Sequence, residues 1–330
     1  MTSAGTDDRR AALDLLVAAT LVSLRAPSIL NSQPWKWRTR GQEVELRSDP
    51  ERRLPRVDPA GRLELMSCGA ALHHALTALA ASGFAGDVAR LPAADQPDLV
   101  AQMRPGAAVP PDRTAYAAVL RRRTDRRPFA DAPPGEEDLD ALRVAAERHG
   151  VRLRLLTRAE VPPFARIVAE AAVAERALPA FARDVTEWSD RPRAAGDGVA
   201  INDLSAPGAH RVPPRDFALG RTPGLAAGGG TDRGTVYGVL TTEADERADW
   251  LAAGEALSDV WLTLTARGLV ASPISEVVEV PQTRAALRRL IGWCGVPAIA
   301  LRIGRAAEPD APPPSARRSG PDVVGLPGDP

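Results

Sequence analysis

Apolar residues at helical spacing open the chain. Leu13, Leu16, Val17, Leu21 and Leu24 share one face of a helix over residues 7–25, with Asp7 or Asp8 available as its cap. The pattern then shifts to period two: Trp35–Arg40 and Glu43–Arg47 flank a Gly-Gln turn and predict a hairpin. An Ala- and Leu-rich helix over 63–83 stops at Gly83, Asp87–Leu91 and Leu99–Met103 read as short strands, and Pro105–Asp112 reads as a linker. Beyond it the pattern predicts helices over 113–123 and 136–149, a strand over 151–156, and a largely helical stretch over 159–189 broken at Pro162 and Pro179. A strand at Thr235–Thr241, a long helix over 245–268, a shorter one over 283–291 and a buried strand at Ala298–Ile303 complete the order.

Helices and a few strands in mixed order favour an α+β fold over a doubly wound parallel sheet. Residues 190–234 break every period: Pro and Gly accumulate and charges mix, the mark of a lid or a flexible excursion. The tail from Pro309 is Pro-rich and expected to be disordered. With 330 residues and 44% hydrophobic content the chain can bury a large core and suggests two halves. We divide it at 1–104, 105–308 and 309–330.

Forty-two basic residues balance 42 acidic ones, which argues against partners held by excess positive charge, such as nucleic acid or a membrane surface. Cys68 and Cys294 form no paired motif and fit a reducing cytoplasm. The first ten residues lack the apolar core of a signal peptide. His73 and His74 are adjacent on a helix and make a poor metal pair, so no metal site is expected. Gly228-Gly229-Gly230 lacks the spacing of a dinucleotide fingerprint, and without a Gly-Lys pair there is no P-loop. No nucleophile–base arrangement is visible, so any chemistry must come from a cofactor.

The most specific text is Ala26-Pro27-Ser28-Ile29-Leu30-Asn31-Ser32-Gln33-Pro34-Trp35-Lys36-Trp37. Two prolines bracket Ser28, Asn31, Ser32 and Gln33, giving either a surface turn held by its own side chains or a rigid loop presenting donors and acceptors to a ligand. The stretch resembles the Pro-Ser-Ser-x-Asn-x-Gln-Pro-Trp loop of the FMN-dependent nitroreductases. Ile29 replaces that family's second loop serine. A second cluster, Arg121-Arg122-Arg123-Thr124-Asp125-Arg126-Arg127, is either a solvated face at a helix C-terminus or an anion clamp. It resembles the Arg-Arg-Ser-x-Arg segment that holds the FMN phosphate, with Arg122 and Arg126 aligning best and Arg123 and Thr124 next. Here it follows the polar loop, whereas the family's segment precedes it.

Residues 268–276 combine a helix end with a Pro-containing loop, and the resemblance lays the backbone of Pro273, Ile274 and Ser275 against the flavin ring. Ile303-Gly304-Arg305 resembles the strand ending whose arginine reaches the phosphate; Arg302, on the alternate face, is the weaker candidate. Taken together, the resemblance is to the Acg subfamily, in which two nitroreductase-like halves are fused in one chain as an intramolecular pseudo-dimer. It implies FMN, bound by Pro27, Ser28, Asn31, Ser32, Gln33, Arg122, Arg123, Thr124, Arg126, Pro273, Ile274, Ser275 and Arg305. It implies NADH or NADPH as electron donor, a small nitro or quinone-like acceptor, and a monomer. The alternatives are a protein that stores or sequesters FMN beneath the 190–234 lid, and an interaction scaffold whose loop has decayed.

Overall fold

The computed structural model describes residues 4–189 and 191–325. Its first half pairs α1 (Ala4–Ser23) with the hairpin β1 (Trp35–Arg40) and β2 (Glu43–Ser48), then α2 (Arg62–Ala81), β3 (Phe84–Arg90) and β4 (Leu99–Ala108). After α3 (Arg113–Arg121) and α4 (Glu136–Glu147) come β5 (Arg152–Leu155), α5 (Val161–Ala177), α6 (Pro179–Ser189) and β6 (Val236–Thr242). The chain continues through α7 (Arg247–Ala266), β7 (Val270–Ile274), α8 (Glu276–Glu279), α9 (Pro281–Leu290) and β8 (Val296–Gly304), and closes with α10 (Gly320–Val323) and β9 (Val324–Gly325).

Two separate sheets result, ordered β3-β4-β2-β1-β9 and β5-β6-β8-β7. Each backs its own core. One is built on Trp35, Trp37, Leu46, Leu72 and Met103, the other on Phe164, Tyr237, Trp261 and Leu301. The two 20-residue helices α2 and α7 join them, α2 lending Met66 to the second core and α7 lending Leu251 to the first.

Their contact is reciprocal. A Cβ on Gly69 would lie 2.2 Å from the Leu251 carbonyl oxygen, and one on Gly254 would lie 2.0 Å from the Met66 carbonyl oxygen. Each glycine is the eighth residue of its helix, and each obstructing carbonyl lies three residues before the opposite glycine. That is the self-complementary contact of a two-fold dimer, made within one chain.

Four expectations change. β4 runs through Pro105 to Ala108, so a boundary at 104 cuts a strand; Pro105 lies where the β3–β4 register shifts, a place that tolerates a missing N–H. The stretch after Gly268 is not a loop but strand β7, which accommodates Pro273 because it is an edge strand. Residues 309–325 do not stand apart as a disordered tail: β9 pairs in parallel with β1, and Arg317 and Arg318 bond to the 26–37 loop. Residues 326–330 lie outside the described residues. Finally, the described residues of 190–234 form two short 3-10 turns and extended chain packed across the molecule. Among the described residues no helix is long and apolar enough to cross a membrane.

Candidate functional site

The polar loop is strained. Leu30, Asn31 and Gln33 all have positive φ (47°, 53° and 50°), conformations that cost a non-glycine residue on the order of 1 kcal/mol or more each. Long-range bonds hold them there. Asn31 Nδ2 donates to the carbonyls of Gly198 (2.9 Å) and Ala316 (3.0 Å), and Gln33 Nε2 donates to that of Gly196 (2.9 Å). Gln33 Oε1 accepts from the Arg318 N–H, the Gln33 N–H donates to Ser28 Oγ, and the Ile29 N–H donates to Ser67 Oγ. The amides expected to meet a ligand are therefore spent on fastening residues 196–198 and 316–318 to the loop.

Where α3 ends, Arg122 turns into the interior and is 5% exposed. Its Nη2 donates to the Arg25 carbonyl, its plane lies 4.8 Å from the Trp261 ring, and its Nε and Nη1 have no partner. Burial, together with Arg317 and Arg123, pushes its pKa well below the usual arginine range. Arg317 arrives from the C-terminal segment, donates to Asn31 Oδ1 (2.8 Å) and leaves Nε unpartnered. Arg126 lies over Phe217 at 5.3 Å. Burial lowers both Arg126 and Arg317 to about 10. Among the described residues no carboxylate forms an ion pair with any of the three. Desolvated guanidiniums with unused N–H groups are costly alone and favour an anion.

All three line one cavity of about 1160 Å³, its open mouth included. Of the residues expected to bind a cofactor, Pro27, Ser28, Asn31, Arg122, Thr124, Arg126, Pro273, Ile274 and Ser275 meet there. Ser32 and Gln33 are fully buried outside its wall. Arg123 bonds the carbonyls of Leu120 and Arg122 and faces a small adjacent recess with Arg25. Arg305, expected at the phosphate, lies beyond β8, reaches Pro133 O and Asp138, and does not line the cavity.

Arg302 takes that wall instead. In register with Ser272 of β7, it stacks on Phe129 at 4.0 Å, bonds the carbonyls of Asp125 and Arg127, and pairs with buried Asp232. His210 completes the group, with Nδ1 2.9 Å from Asp232 Oδ2. A charge inside the apolar run Ala298–Ile303 was the available signal for Arg302. Nothing local marked Arg317 or His210.

The excursion supplies Val199, His210, Val212, Arg215 and Phe217 to the wall. Buried Arg215 ties it to Glu175 of α5 and Glu279 of α8, with buried Glu276 nearby. One guanidinium thus faces three carboxyls, and burial pushes Glu175 up to about 7. A carboxyl whose pKa is raised in the folded state favours folding below its unfolded value of 4.5 and loses that contribution as pH rises through 7. Glu175→Gln is therefore expected to gain stability relative to the parent as pH rises from 4.5 to 8, in urea unfolding at matched pH. A difference independent of pH would show that Glu175 ionises freely.

Comparison with known proteins gives the class. No family model matches the chain. Over 313 residues it is 37% identical to "Putative NAD(P)H nitroreductase Rv3131" of Mycobacterium tuberculosis, covering 93% of this chain and 90% of that one. Over 322 residues it is 32% identical to "Putative NAD(P)H nitroreductase acg" of the same organism, covering 96% and 97%. Among solved structures, a nitroreductase with bound FMN from Bacteroides fragilis aligns with 62% of this chain and 95% of its own, at 13% identity and TM-score 0.38. A variant of the FMN- and NADPH-dependent nitroreductase NfnB from a Sphingopyxis strain aligns with 65% and 99%, at 20% identity and TM-score 0.43. The chain belongs to the Acg-type nitroreductase family.

Proposed function

We propose that this protein is an FMN-binding oxidoreductase of nitroreductase type, carrying electrons from NADH or NADPH to a nitro or quinone-like acceptor. The observation that carries this reading is that Arg122, Arg126 and Arg317 meet in one cavity, their pKa values lowered by burial and their guanidiniums without an ion-pair partner among the described residues. A phosphate monoester suits them, because guanidinium forks match its oxygens in pairs. Apolar walls from Leu63, Met66, Leu257 and Ile299 suit a flat ring system, and Pro273–Ser275 brings backbone alongside. Bound there, FMN would supply hydride acceptance and electron delivery. The chain's own part is to hold the anion and to exclude water with the 199–217 segment. The names of the relatives support the nicotinamide donor.

The purified chain is expected to release FMN on heating, and a colourless chain that does not take up added FMN would overturn the reading. A second reading, a flavin holder with little turnover, draws on the excursion over the cavity and its Arg215 anchor. Anaerobic mixing separates the two. An oxidoreductase bleaches rapidly with NADH or NADPH and recolours with a quinone, whereas a holder bleaches readily only with dithionite.

The reciprocal α2–α7 contact supports a monomer with its pseudo-dimer interface closed internally. Light scattering showing an obligate dimer would contradict it. The unpaired Cys68 and Cys294 support a cytoplasmic location.

A further inference from the structure

Away from the cavity, three side chains far apart in sequence converge. His73 lies on α2, Asp259 on α7, and His149 just beyond the end of α4. One ligand atom from each lies within 4.8 Å of the other two. His149 Nε2 is 3.1 Å and His73 Nε2 4.0 Å from Asp259 Oδ2, and the imidazoles meet edge to face with centroids 5.3 Å apart. Tetrahedral zinc with bonds of roughly 2.0–2.1 Å spaces its ligand atoms about 3.4 Å apart, so small side-chain rotations close the set.

The supporting contacts suit a ligand set. His73 Nδ1 is 2.8 Å from Ser258 Oγ, which leaves Nε2 for a metal, and Thr263 Oγ1 donates to Asp259 Oδ1 (3.3 Å). His74, the neighbour that sequence pairs with His73, turns its Nδ1 to Ala70 O and the same Ser258 and stays out of the group. His73 and Asp259 line an open groove, leaving room for water in a fourth position. Arg148 stands 3.4 Å from Asp259, but its side chain is 60% exposed and can swing into solvent at little cost.

We propose that His73, His149 and Asp259 bind one zinc ion, with water as fourth ligand, and that the ion ties α4 to the central α2–α7 pair. Two imidazoles and one carboxylate suit zinc and not magnesium or calcium, which prefer all-oxygen shells. This site is independent of the cavity and departs from the expectation that the chain holds no metal.

The test is titration of the tag-free, EDTA-dialysed full chain with zinc sulfate by calorimetry, alongside thermal unfolding. One ion per chain and a raised Tm are expected, with magnesium producing neither. His149→Ala, near the surface, and Asp259→Asn should each weaken zinc binding by at least about ten-fold. Cys294→Ser should leave it unchanged. Cobalt should give absorption of four-coordinate intensity in the parent and not in His149→Ala, whose far-ultraviolet circular dichroism reports whether it has folded. No bound zinc, equal binding by parent and folded His149→Ala, loss on Cys294→Ser, or equal stabilisation by magnesium would each overturn the proposal.

Discussion

Arg122→Met is expected to move two measurements in opposite directions: FMN affinity falls while the flavin-free protein gains thermal stability. Without an anion, the Arg122 guanidinium is buried with two N–H-bearing nitrogens unpartnered and with other arginines as its charged neighbours. Methionine retains much of the volume against Trp261 and removes that desolvated charge. The Arg25 carbonyl keeps a donor in Arg317 Nη2 at 3.2 Å. When phosphate is present the balance reverses, because each charge-assisted hydrogen bond contributes about 1.5–3 kcal/mol, a roughly 10–150-fold loss in affinity. Fluorescence titration with FMN and thermal unfolding of the stripped protein read the two sides. A variant that loses both affinity and stability would mean that Arg122 serves the packing of the helix end and not a ligand.

Gly254→Ala is expected to destabilise the protein by about 3 kcal/mol or more, although alanine is the better helix former by about 1 kcal/mol. The added methyl would sit 2.0 Å from backbone that cannot rotate away, so α7 must lift off α2 and both cores loosen along their shared seam. Gly69→Ala should cost a similar amount for the reciprocal reason. Once one methyl has parted the helices the second meets less resistance, so the double variant should fall short of the sum. Urea unfolding of the three variants measures this. Alanine substitutions that stabilise would show that the helices stand further apart than described.

Sequence periodicity located the helices and most strands because their apolar faces are local. β7 escaped because Gly268 and Pro273 read as loop signals, although Gly268 precedes the strand and Pro273 sits in it at the sheet edge beside β8. The arginine cluster and the 26–37 loop were legible as chemistry, yet the roles within them were not. Asn31 and Gln33 look the same in sequence whether they bond a ligand or the carbonyls of Gly196, Gly198 and Ala316. Arg302 sits within β8 and Arg305 one residue past its end, a boundary that strand pairing decides. Arg317 enters the cavity from a segment whose composition signals disorder, through contacts that no window of neighbouring residues contains.

Those last contacts have a kinetic side. The bonds that hold the loop join residues 285 and 286 positions apart, among the most distant pairings in the chain. During synthesis strands β1–β8 and the α2–α7 pair can assemble before residues 316–318 leave the ribosome, but the left-handed turns at Leu30, Asn31 and Gln33 lack their final restraints until then. Loop closure over such a span is slow, and docking of the segment becomes a late folding event. On the function proposed above, cofactor capture is expected to wait until residues 316–318 have docked across the loop.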